Sequence, residues 1–303
     1  MQERVTVACA QVEPVIFDRD ATIEKLGRTA AEAAGRGARI VVFPEAVVPA
    51  YPSSIWAKAL AGWADDGAKQ AFALLARESV EVPGPAERRL GELAREHDVW
   101  LVTGVTERDP AHPGTLYNTL LFHSPEGELA LKHRKLVPTN HERLVWGQGD
   151  GGGLDAVETP YGRLGGLVCW ENYMPLARFA LYESGIELYV ASTADDGELW
   201  QSTLVHIARE SRCFVIAPSH FQRAASYPDD FPLAQLLEGV DVIGRGGSAI
   251  LGPDGSYLAG PLWDEEGVLY AELDPAQLDA ERQRFDPTGH YHRPDVLGLE
   301  RRS

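Results

Sequence analysis

Cys169 lies where a thiol can act as a nucleophile. The uncharged segment 164–169 predicts a buried strand, and Pro175 begins an amphipathic stretch to Glu183 that predicts a helix. At such a strand-to-helix elbow, backbone N–H groups and the helix dipole favour the reactive thiolate. Most free cysteines, however, are small hydrophobic core residues. The position of Cys169 alone is therefore compatible with a nucleophile and with a core residue.

Two charged residues border apolar segments in a similar way. Glu45 ends the segment 39–45, which reads Arg-Ile-Val-Val-Phe-Pro-Glu, and Lys135 lies in the segment 132–139. Open α/β sheets place their ligand crevices at the carboxyl ends of strands, so we expect Glu45 at such a crevice. A carboxylate, an ammonium group and a thiol that meet there could carry out acyl transfer without a histidine or a metal ion.

These residues and their neighbours resemble the nitrilase superfamily of carbon–nitrogen hydrolases, whose triad is Glu, Lys and Cys in that order. The resemblance rests on the segments 43–45 (Phe-Pro-Glu), 133–136 (His-Arg-Lys-Leu) and 169–175 (Cys-Trp-Glu-Asn-Tyr-Met-Pro), and it extends from residue 5 to the tail segment 289–294. Each motif is weak alone, but together they are specific. The resemblance implies an enzyme that hydrolyses carbon–nitrogen bonds other than peptide bonds and needs no cofactor and no metal.

The resemblance assigns a role to each member of the triad. Since a free cysteine has a pKa of about 8.5, a base must take the proton of Cys169 before it attacks carbon. Glu45 is the candidate base, and it later passes a proton to the departing nitrogen and activates water. Lys135 and the backbone N–H of Trp170 would stabilise the anion formed by the attack. A nitrile would pass through a thioimidate and a thioester to acid and ammonia, and an amide would enter one step later.

Residues beyond the triad favour the nitrilase branch of the superfamily. The segment 139–146 resembles that branch, in which its glutamate, here Glu142, is a fourth catalytic-site residue. The alternative for Glu142 is a solvated charge paired with Arg143. Glu171 is expected to be a structural, hydrogen-bonded carboxylate. Because the triad suits nitriles and amides alike, an amidase, a carbamoylase and a cyanide-degrading enzyme of the same superfamily stay open as alternatives.

The substrate pocket is predicted from positions that line it in the family. Aromatic side chains there suit an aromatic or arylaliphatic nitrile, although Tyr and Trp are equally ordinary in cores and interfaces. The expected partners are therefore a small nitrile and water. The residues predicted to bind the substrate are Tyr51, Trp170, Thr193, Trp200 and His220.

Composition excludes several other classes of protein. A formal net charge of −17 argues against nucleic-acid and anionic-membrane partners, because no basic run is longer than residues 132–135. The first residues lack a secretory-signal pattern and no window approaches ~20 apolar residues, which predicts a cytoplasmic protein without a membrane span. The 3 cysteines are odd in number and widely spaced, which fits neither disulfides nor a zinc cluster. Cys9 and Cys213 are expected in the core.

Strand and helix patterns alternate along the whole chain without a linker or repeat, which predicts one α/β domain over residues 1–303. The resemblance sharpens this fold class to a four-layer α-β-β-α sandwich. It also implies a homodimer or higher homo-oligomer, with residues 275–303 as a C-terminal helix and tail at a subunit interface. Strands are predicted at 5–12, 38–43, 99–106, 116–123, 129–133, 164–170, 186–192, 214–217, 247–251 and 268–273, and helices at 18–35, 55–79, 85–97, 176–184, 198–212 and 275–285.

Two interpretations lie outside the hydrolase class. One is a catalytically silent scaffold or binding subunit with the same sandwich, but such a protein has no use for a buried acid, amine and thiol together. The other is a nucleotide-binding protein, because the segment 147–152 matches the pattern G-x-G-x-x-G. Gly153 and Pro160 follow where that motif requires a helix to begin, so we interpret the segment as a flexible loop.

Overall fold

Two β-sheets pack face to face, with helices on both outer faces, in a computed structural model that describes residue 1 and residues 3–301. The strands are β1 (Val5–Gln11), β2 (Ala38–Val42), β3 (Val80–Glu81), β4 (Trp100–Arg108), β5 (Leu116–His123), β6 (Leu129–Arg134), β7 (Ala156–Thr159), β8 (Gly162–Gly166), β9 (Leu188–Val190), β10 (Phe214–Ala217), β11 (Phe221–Arg223), β12 (Val242–Leu251), β13 (Tyr257–Trp263) and β14 (Gly267–Leu273). The first sheet has the strand order β14-β1-β2-β4-β5-β6, with β3 paired to β4, and the second has the order β11-β12-β10-β9-β8-β7, with β13 paired to β12.

The helices connect and cover these sheets. Short 3₁₀ helices also occur, and two of them, Asn140–Leu144 and Cys169–Tyr173, carry predicted site residues. The α-helices are α1 (Arg19–Gly35), α2 (Ser54–Ala57), α3 (Asp66–Glu78), α4 (Pro85–His97), α5 (Pro175–Glu183), α6 (Glu198–Ser211) and α7 (Pro275–Arg282).

The apolar core lies in layers between these elements. Because side chains alternate along a strand, Val7 and Cys9 of β1 face the second sheet, whereas Ala8 and Ala10 pack with apolar residues of α1 and α4. On the far side, the outer face of the second sheet packs against α5 and α6. The layers therefore run helix, sheet, sheet, helix, and the predicted four-layer sandwich is confirmed.

The parallel strands direct two of the predicted catalytic residues to strand ends. β2 is parallel to β1 and β4, and β8 is parallel to β9. Glu45 follows the carboxyl end of β2, and Cys169 follows the carboxyl end of β8. Lys135 directly follows β6, which is the last strand of the antiparallel set β4-β5-β6. The fold thus places the site where the two sheets meet at their strand ends.

The predicted strand over residues 164–170 is wrong at its carboxyl end. β8 ends at Gly166, and a 3₁₀ helix begins at Cys169, whose φ of 51° is incompatible with a strand. A Cβ on residue 166 would lie 2.3 Å from Val190 O, so the glycine permits close contact with β9 just before the chain turns. The cysteine therefore heads a tight turn that an apolar sequence does not reveal.

The carboxyl-terminal segment packs against the helix that follows the site. After α7, the Arg301 guanidinium donates to Leu154 O and to Ala180 O of α5, both at 2.6 Å. Gln2, Arg302 and Ser303 of the predicted domain lie outside the described residues. Across the described part of the chain, none of the helices combines the length and hydropathy needed to cross a membrane.

Candidate active site

The structure brings Glu45, Lys135, Glu142 and Cys169 together. The Lys135 ammonium group lies 2.9 Å from Glu45 Oε1 and 2.7 Å from Glu142 Oε2, so two carboxylates share one cation. All four side chains are buried, and Cys169 keeps 4% of its surface exposed. An acid, an amine and a thiol therefore meet in a site from which bulk water is largely excluded.

Glu45 is held by three donors. Besides Lys135, the Asn118 amide donates to Oε1 at 2.6 Å, and the backbone N–H of Ala194 donates to Oε2 at 2.7 Å. Gly104 of β4 makes room for this segment, because a Cβ at that position would lie 2.2 Å from Pro44 O. The glutamate is thus an oriented carboxylate that retains lone pairs for a proton.

Opposing electrostatic effects act on Lys135. Burial alone would lower the pKa of this ammonium group, but the charges of Glu45 and Glu142 outweigh burial and raise its pKa above the ordinary value. Burial and the Glu45 charge also raise the pKa of the Glu142 carboxyl. Lys135 is therefore a permanent cation between a fixed carboxylate and a second carboxyl group that takes up a proton more easily than usual.

Glu142 is part of this cluster and does not pair with its sequence neighbour. Its Oε2 accepts from Lys135 and from the backbone N–H of Thr139 at 2.7 Å, and its Oε1 accepts from the Tyr51 hydroxyl at 2.7 Å. The Arg143 guanidinium instead donates to Pro138 O at 3.1 Å. The alternative of a solvated Glu142–Arg143 pair is therefore wrong.

The Cys169 sulfur has one hydroxyl donor close by. Thr193 Oγ1 donates to Sγ at 3.1 Å and accepts from the backbone N–H of Asp195 at 2.9 Å. Burial and the Glu45 charge raise the pKa of the Cys169 thiol, whereas Lys135 and the Thr193 hydroxyl act to lower it. The thiol therefore needs a base to become a nucleophile, and the prediction that the elbow itself favours thiolate stays a prediction.

Two of the predicted substrate-binding residues have partners around the cysteine turn. Thr193 contacts the sulfur, as described above. Trp170 is 50% exposed, and its indole N–H donates to Asp195 Oδ2 at 2.7 Å. Asp195 therefore connects the exposed ring of Trp170 with the hydroxyl that contacts Sγ. Substrate contact by either side chain stays a prediction.

Tyr51 and His220 lie on the other side of the cluster. Their rings are 5.5 Å apart, and the Trp146 ring packs 5.8 Å from that of Tyr51. Burial lowers the pKa of His220 to about 4, and its Nε2 hydrogen-bonds to the backbone oxygen of Glu45. His220 is thus neutral at physiological pH and supports the backbone of the carboxylate.

Trp200 lies deeper than the other predicted pocket residues. It is 1% exposed and belongs to the apolar cluster between the second sheet and α6. Its ring lies 6.0 Å from that of Tyr173, which in turn packs against Trp170. Contact of Trp200 with the substrate stays a prediction. In the structure, Trp200 packs beneath Tyr173 and Trp170, which lie nearer the surface.

Replacing Tyr51 by Phe is expected to lower kcat by about tenfold or more, since a hydrogen bond to a charged group contributes roughly 1.5–3 kcal/mol. The change removes the hydroxyl donor of Glu142 Oε1 and leaves a buried carboxylate oxygen without that partner. Tyr182→Phe is a matched control, because its hydroxyl donates to Glu210 Oε2 at the same 2.7 Å, between α5 and α6. Steady-state kinetics of both variants would measure the difference, and equal kcat values would contradict a role for the Tyr51 hydroxyl.

Sequence reasoning missed several donors of the cluster. Asn118 is a buried amide on β5, whose other side chains are mostly apolar, and that contrast was the available signal. The backbone N–H donors of Thr139 and Ala194 cannot be recognised from the sequence, because every residue except proline has a backbone N–H.

Other candidate sites are separate from this cluster. Within residue 1 and residues 3–301, no group of three or more His, Cys, Asp or Glu side chains has the arrangement of a metal site. A surface cleft of about 750 Å³ lies beside the first turns of α1 and α4 and shares no lining residue with the catalytic cluster. The convergence of charged groups, and not the size of a surface cleft, therefore marks the site.

The sequence matches the carbon-nitrogen hydrolase family over residues 6–283. The chain belongs to this family. It is accordingly a hydrolase that acts on carbon–nitrogen bonds, and the resemblance inferred from the motifs is confirmed.

Relatives within the carbon–nitrogen hydrolases cover almost the whole chain. Nitrilase 2 of Arabidopsis thaliana is 42% identical over 300 residues, which span 97% of this chain and 88% of the relative. An aliphatic nitrilase of Sinorhizobium fredii (strain HH103) is 44% identical over 292 residues, which span 96% of this chain and 94% of the relative. A carbon-nitrogen hydrolase structure from Helicobacter pylori G27 superposes with a TM-score of 0.75 at 20% identity, covering 96% of each chain, which shows the shared fold.

Proposed function

We propose that this hydrolase is a nitrilase, which converts an organic nitrile and two water molecules to a carboxylic acid and ammonia. The observation that carries the proposal is the buried cluster in which Lys135 bridges Glu45 and Glu142 beside the Cys169 thiol. A silent scaffold would gain nothing from burying these charges. Two relatives at 42% and 44% identity are named nitrilases, which supports nitriles over amides.

The first half of the reaction joins the substrate to the enzyme. Glu45 takes the thiol proton, Sγ attacks the nitrile carbon, and the nitrogen receives the proton, which gives a thioimidate on Cys169. Lys135 stabilises the developing thiolate and the charge on the nitrogen without any rearrangement, because the site already holds it in place. The hydroxyl of Thr193 contributes a further donor to the sulfur.

The second half releases both products. Glu45 activates a first water that adds to the thioimidate carbon, and it then protonates the nitrogen, so that ammonia leaves and a thioester remains. A second water cleaves the thioester, which frees the carboxylic acid and returns the proton to the sulfur. In this scheme Glu142 and Tyr51 hold Lys135 in position throughout.

Aromatic side chains beside the cluster bear on the class of nitrile. The rings of Tyr51, Trp146 and His220 form an aromatic surface beside the cluster, which supports an aromatic or arylaliphatic substrate. An aliphatic nitrile is a second candidate, because one relative at 44% identity is named an aliphatic nitrilase.

An ammonia-release assay on paired substrates tests the proposal. We expect release from benzonitrile, phenylacetonitrile or a short aliphatic nitrile, with the most active member defining the class, and slower release from the matching amides. Activity on amides alone would contradict the nitrilase and indicate an amidase. Activity on carbamoyl compounds or on cyanide alone would indicate those members of the superfamily, and no release from any compound would favour the silent scaffold.

Other expectations from the sequence stay predictions. These are the homodimer or higher homo-oligomer, the interface position of residues 275–303 and the cytoplasmic location. The half-exposed or exposed apolar side chains Tyr173, Leu176 and Leu199 around α5 and α6 support an interface at the helices that follow the cysteine.

A further inference from the structure

The carboxylate of Glu171 connects the two halves of the catalytic cluster. Its Oε1 accepts from the backbone N–H of Leu136 at 2.8 Å, and its Oε2 accepts from the backbone N–H of Val168 and from His133 Nε2, each at 2.9 Å. Leu136 is the residue after Lys135, and Val168 is the residue before Cys169. One buried side chain therefore contacts the backbone next to the cation and the backbone next to the nucleophile.

The same residue closes the turn that carries the sulfur. The backbone N–H of Glu171 donates to Val168 O at 3.0 Å, while its side chain accepts from Val168 N, so two reciprocal hydrogen bonds enclose Cys169. Cys169 has a φ of 51°, a left-handed conformation that is unfavourable for a residue with a Cβ. Such a conformation persists only where its surroundings enforce it.

We propose that Glu171 is a positioning residue for the hydrolysis, which fixes Lys135 and Cys169 relative to each other by binding the backbone next to both of them at once. The inference rests on the roles proposed above for Cys169 and Lys135. Glu171 acts through the backbone next to Lys135 and next to Cys169, and Glu45 remains the base of the hydrolysis.

The ionised form of Glu171 suits this role. Burial alone would raise the pKa of this carboxyl, but the neighbouring His133 and the backbone N–H groups outweigh burial and lower it. A carboxylate only accepts hydrogen bonds, so it satisfies N–H groups from three directions. An amide of the same shape has one accepting oxygen, and its NH₂ group would face a backbone N–H of Leu136 or Val168.

Glu171→Gln is therefore the informative variant. Repulsion between the glutamine NH₂ group and a backbone N–H would displace either Lys135 or Cys169. A displacement of about 1 Å lowers the rate on the order of 100-fold. We expect kcat for the best nitrile to fall by this order, with KM changed much less. We also expect slower alkylation of Cys169 by iodoacetamide, by about tenfold for each unit that the thiol pKa rises when Lys135 moves away.

Whether alkylation of Cys169 becomes slower or faster distinguishes a loss of positioning from a general loosening of the fold. A variant that only loosens the fold would expose the buried thiol and speed alkylation, whereas displacement of the Lys135 charge, which acts to lower the pKa of the thiol, would slow it. If the folded variant alkylates at the wild-type rate or faster and keeps the wild-type kcat, with only Tm lowered, the proposal is overturned.

Glu87→Gln is a matched control on another part of the fold. Glu87 is also a buried carboxylate paired with a buried imidazole, since its Oε1 lies 3.1 Å from Nε2 of His123. A glutamine oxygen can accept that hydrogen bond, so we expect unchanged kcat and unchanged alkylation. Equal effects of the two substitutions on kcat would contradict a special role for Glu171.

Glu171→Asp is a second test of the proposal, and it is needed if Glu171→Gln does not fold. Aspartate keeps the charge but is shorter by one methylene, so it cannot reach both backbone N–H groups together. We expect kcat and alkylation to fall in the same direction, and wild-type values for this variant would overturn the proposal. If the wild-type enzyme releases no ammonia from nitriles, the proposed function fails, while the alkylation rates still test the positioning.

Discussion

Cys169→Ala is expected to abolish nitrile hydrolysis, by roughly 10⁴-fold or more, and to leave the fold intact. No other group of the cluster can form the covalent intermediate, because Glu45, Glu142 and Lys135 are committed to one another by hydrogen bonds. Alanine removes only Sγ, and the bond from Cys169 N to Ser192 O, at 2.8 Å, stays in place. Ammonia release and thermal unfolding of the purified variant are the two measurements required.

The other cysteines provide the control for this prediction. Cys9 is fully buried in β1, and Cys213 donates to Ile186 O at 3.0 Å beside β10. Their alanine variants should keep the wild-type kcat and lose only stability, through the small cavity that the missing sulfur leaves. Substantial turnover by Cys169→Ala, or inactivity of Cys9→Ala at full folding, would contradict the assignment of the nucleophile.

Lys135→Met is expected to inactivate the enzyme and to destabilise it by about 3–5 kcal/mol, the usual result of removing one partner from a buried ion pair. Methionine has a similar shape but no charge, so the carboxylates of Glu45 and Glu142 would face each other without the cation that separates them. Urea unfolding measures the loss of stability. Lys132→Met is the matched control, because Lys132 is partly exposed and its partner Glu107 also binds the Arg134 guanidinium.

The instability of Lys135→Met should depend on pH with a definite sign. Burial and the Glu45 charge already raise the pKa of Glu142 in the folded protein, and loss of the ammonium group raises it further. A group whose folded pKa lies above its unfolded pKa favours folding at low pH, and this contribution is lost as the pH rises through the folded pKa. The loss of unfolding free energy in Lys135→Met, relative to wild type, should therefore become smaller as the pH falls. It should be smallest near the pKa of glutamate in the unfolded chain, about 4.3. A deficit that is the same at every pH, or no larger than that of Lys132→Met, would contradict this account of the cluster.

The regular elements and the identity of the family could be predicted from the sequence because their causes are local. The predicted helix 18–35 is α1, whose N-cap Asp18 accepts from Ala21 N at 2.9 Å. The predicted strands 116–123 and 129–133 are β5 and β6, which pair antiparallel. The motifs around Glu45, Lys135 and Cys169 identified the family. The pattern by itself did not show two sheets, since burial between sheets and burial beneath helices give the same apolar strands.

The features that escaped prediction depend on contacts between distant residues. The turn at Cys169 is fixed by Glu171 and by the close contact of Gly166 with Val190, and neither partner is visible in the apolar run that precedes the cysteine. The raised pKa of the thiol comes from burial and from Glu45, which lies far away in the sequence. The short strand β11 (Phe221–Arg223) is not among the predicted strands, and it forms by pairing with β12.

Covalent capture of the intermediate bears most closely on the proposal that Cys169 attacks nitrile carbon. Acid-quenched enzyme from a reaction with a slow nitrile would be analysed by intact mass and by peptide mapping. We expect an added mass equal to the whole nitrile for the thioimidate, or to the acyl group less one hydrogen atom for the thioester. The adduct should lie on the peptide that contains Cys169 and be missing from Cys169→Ala. An adduct on another residue, or continued nitrile turnover by Cys169→Ala without any adduct, would contradict this mechanism.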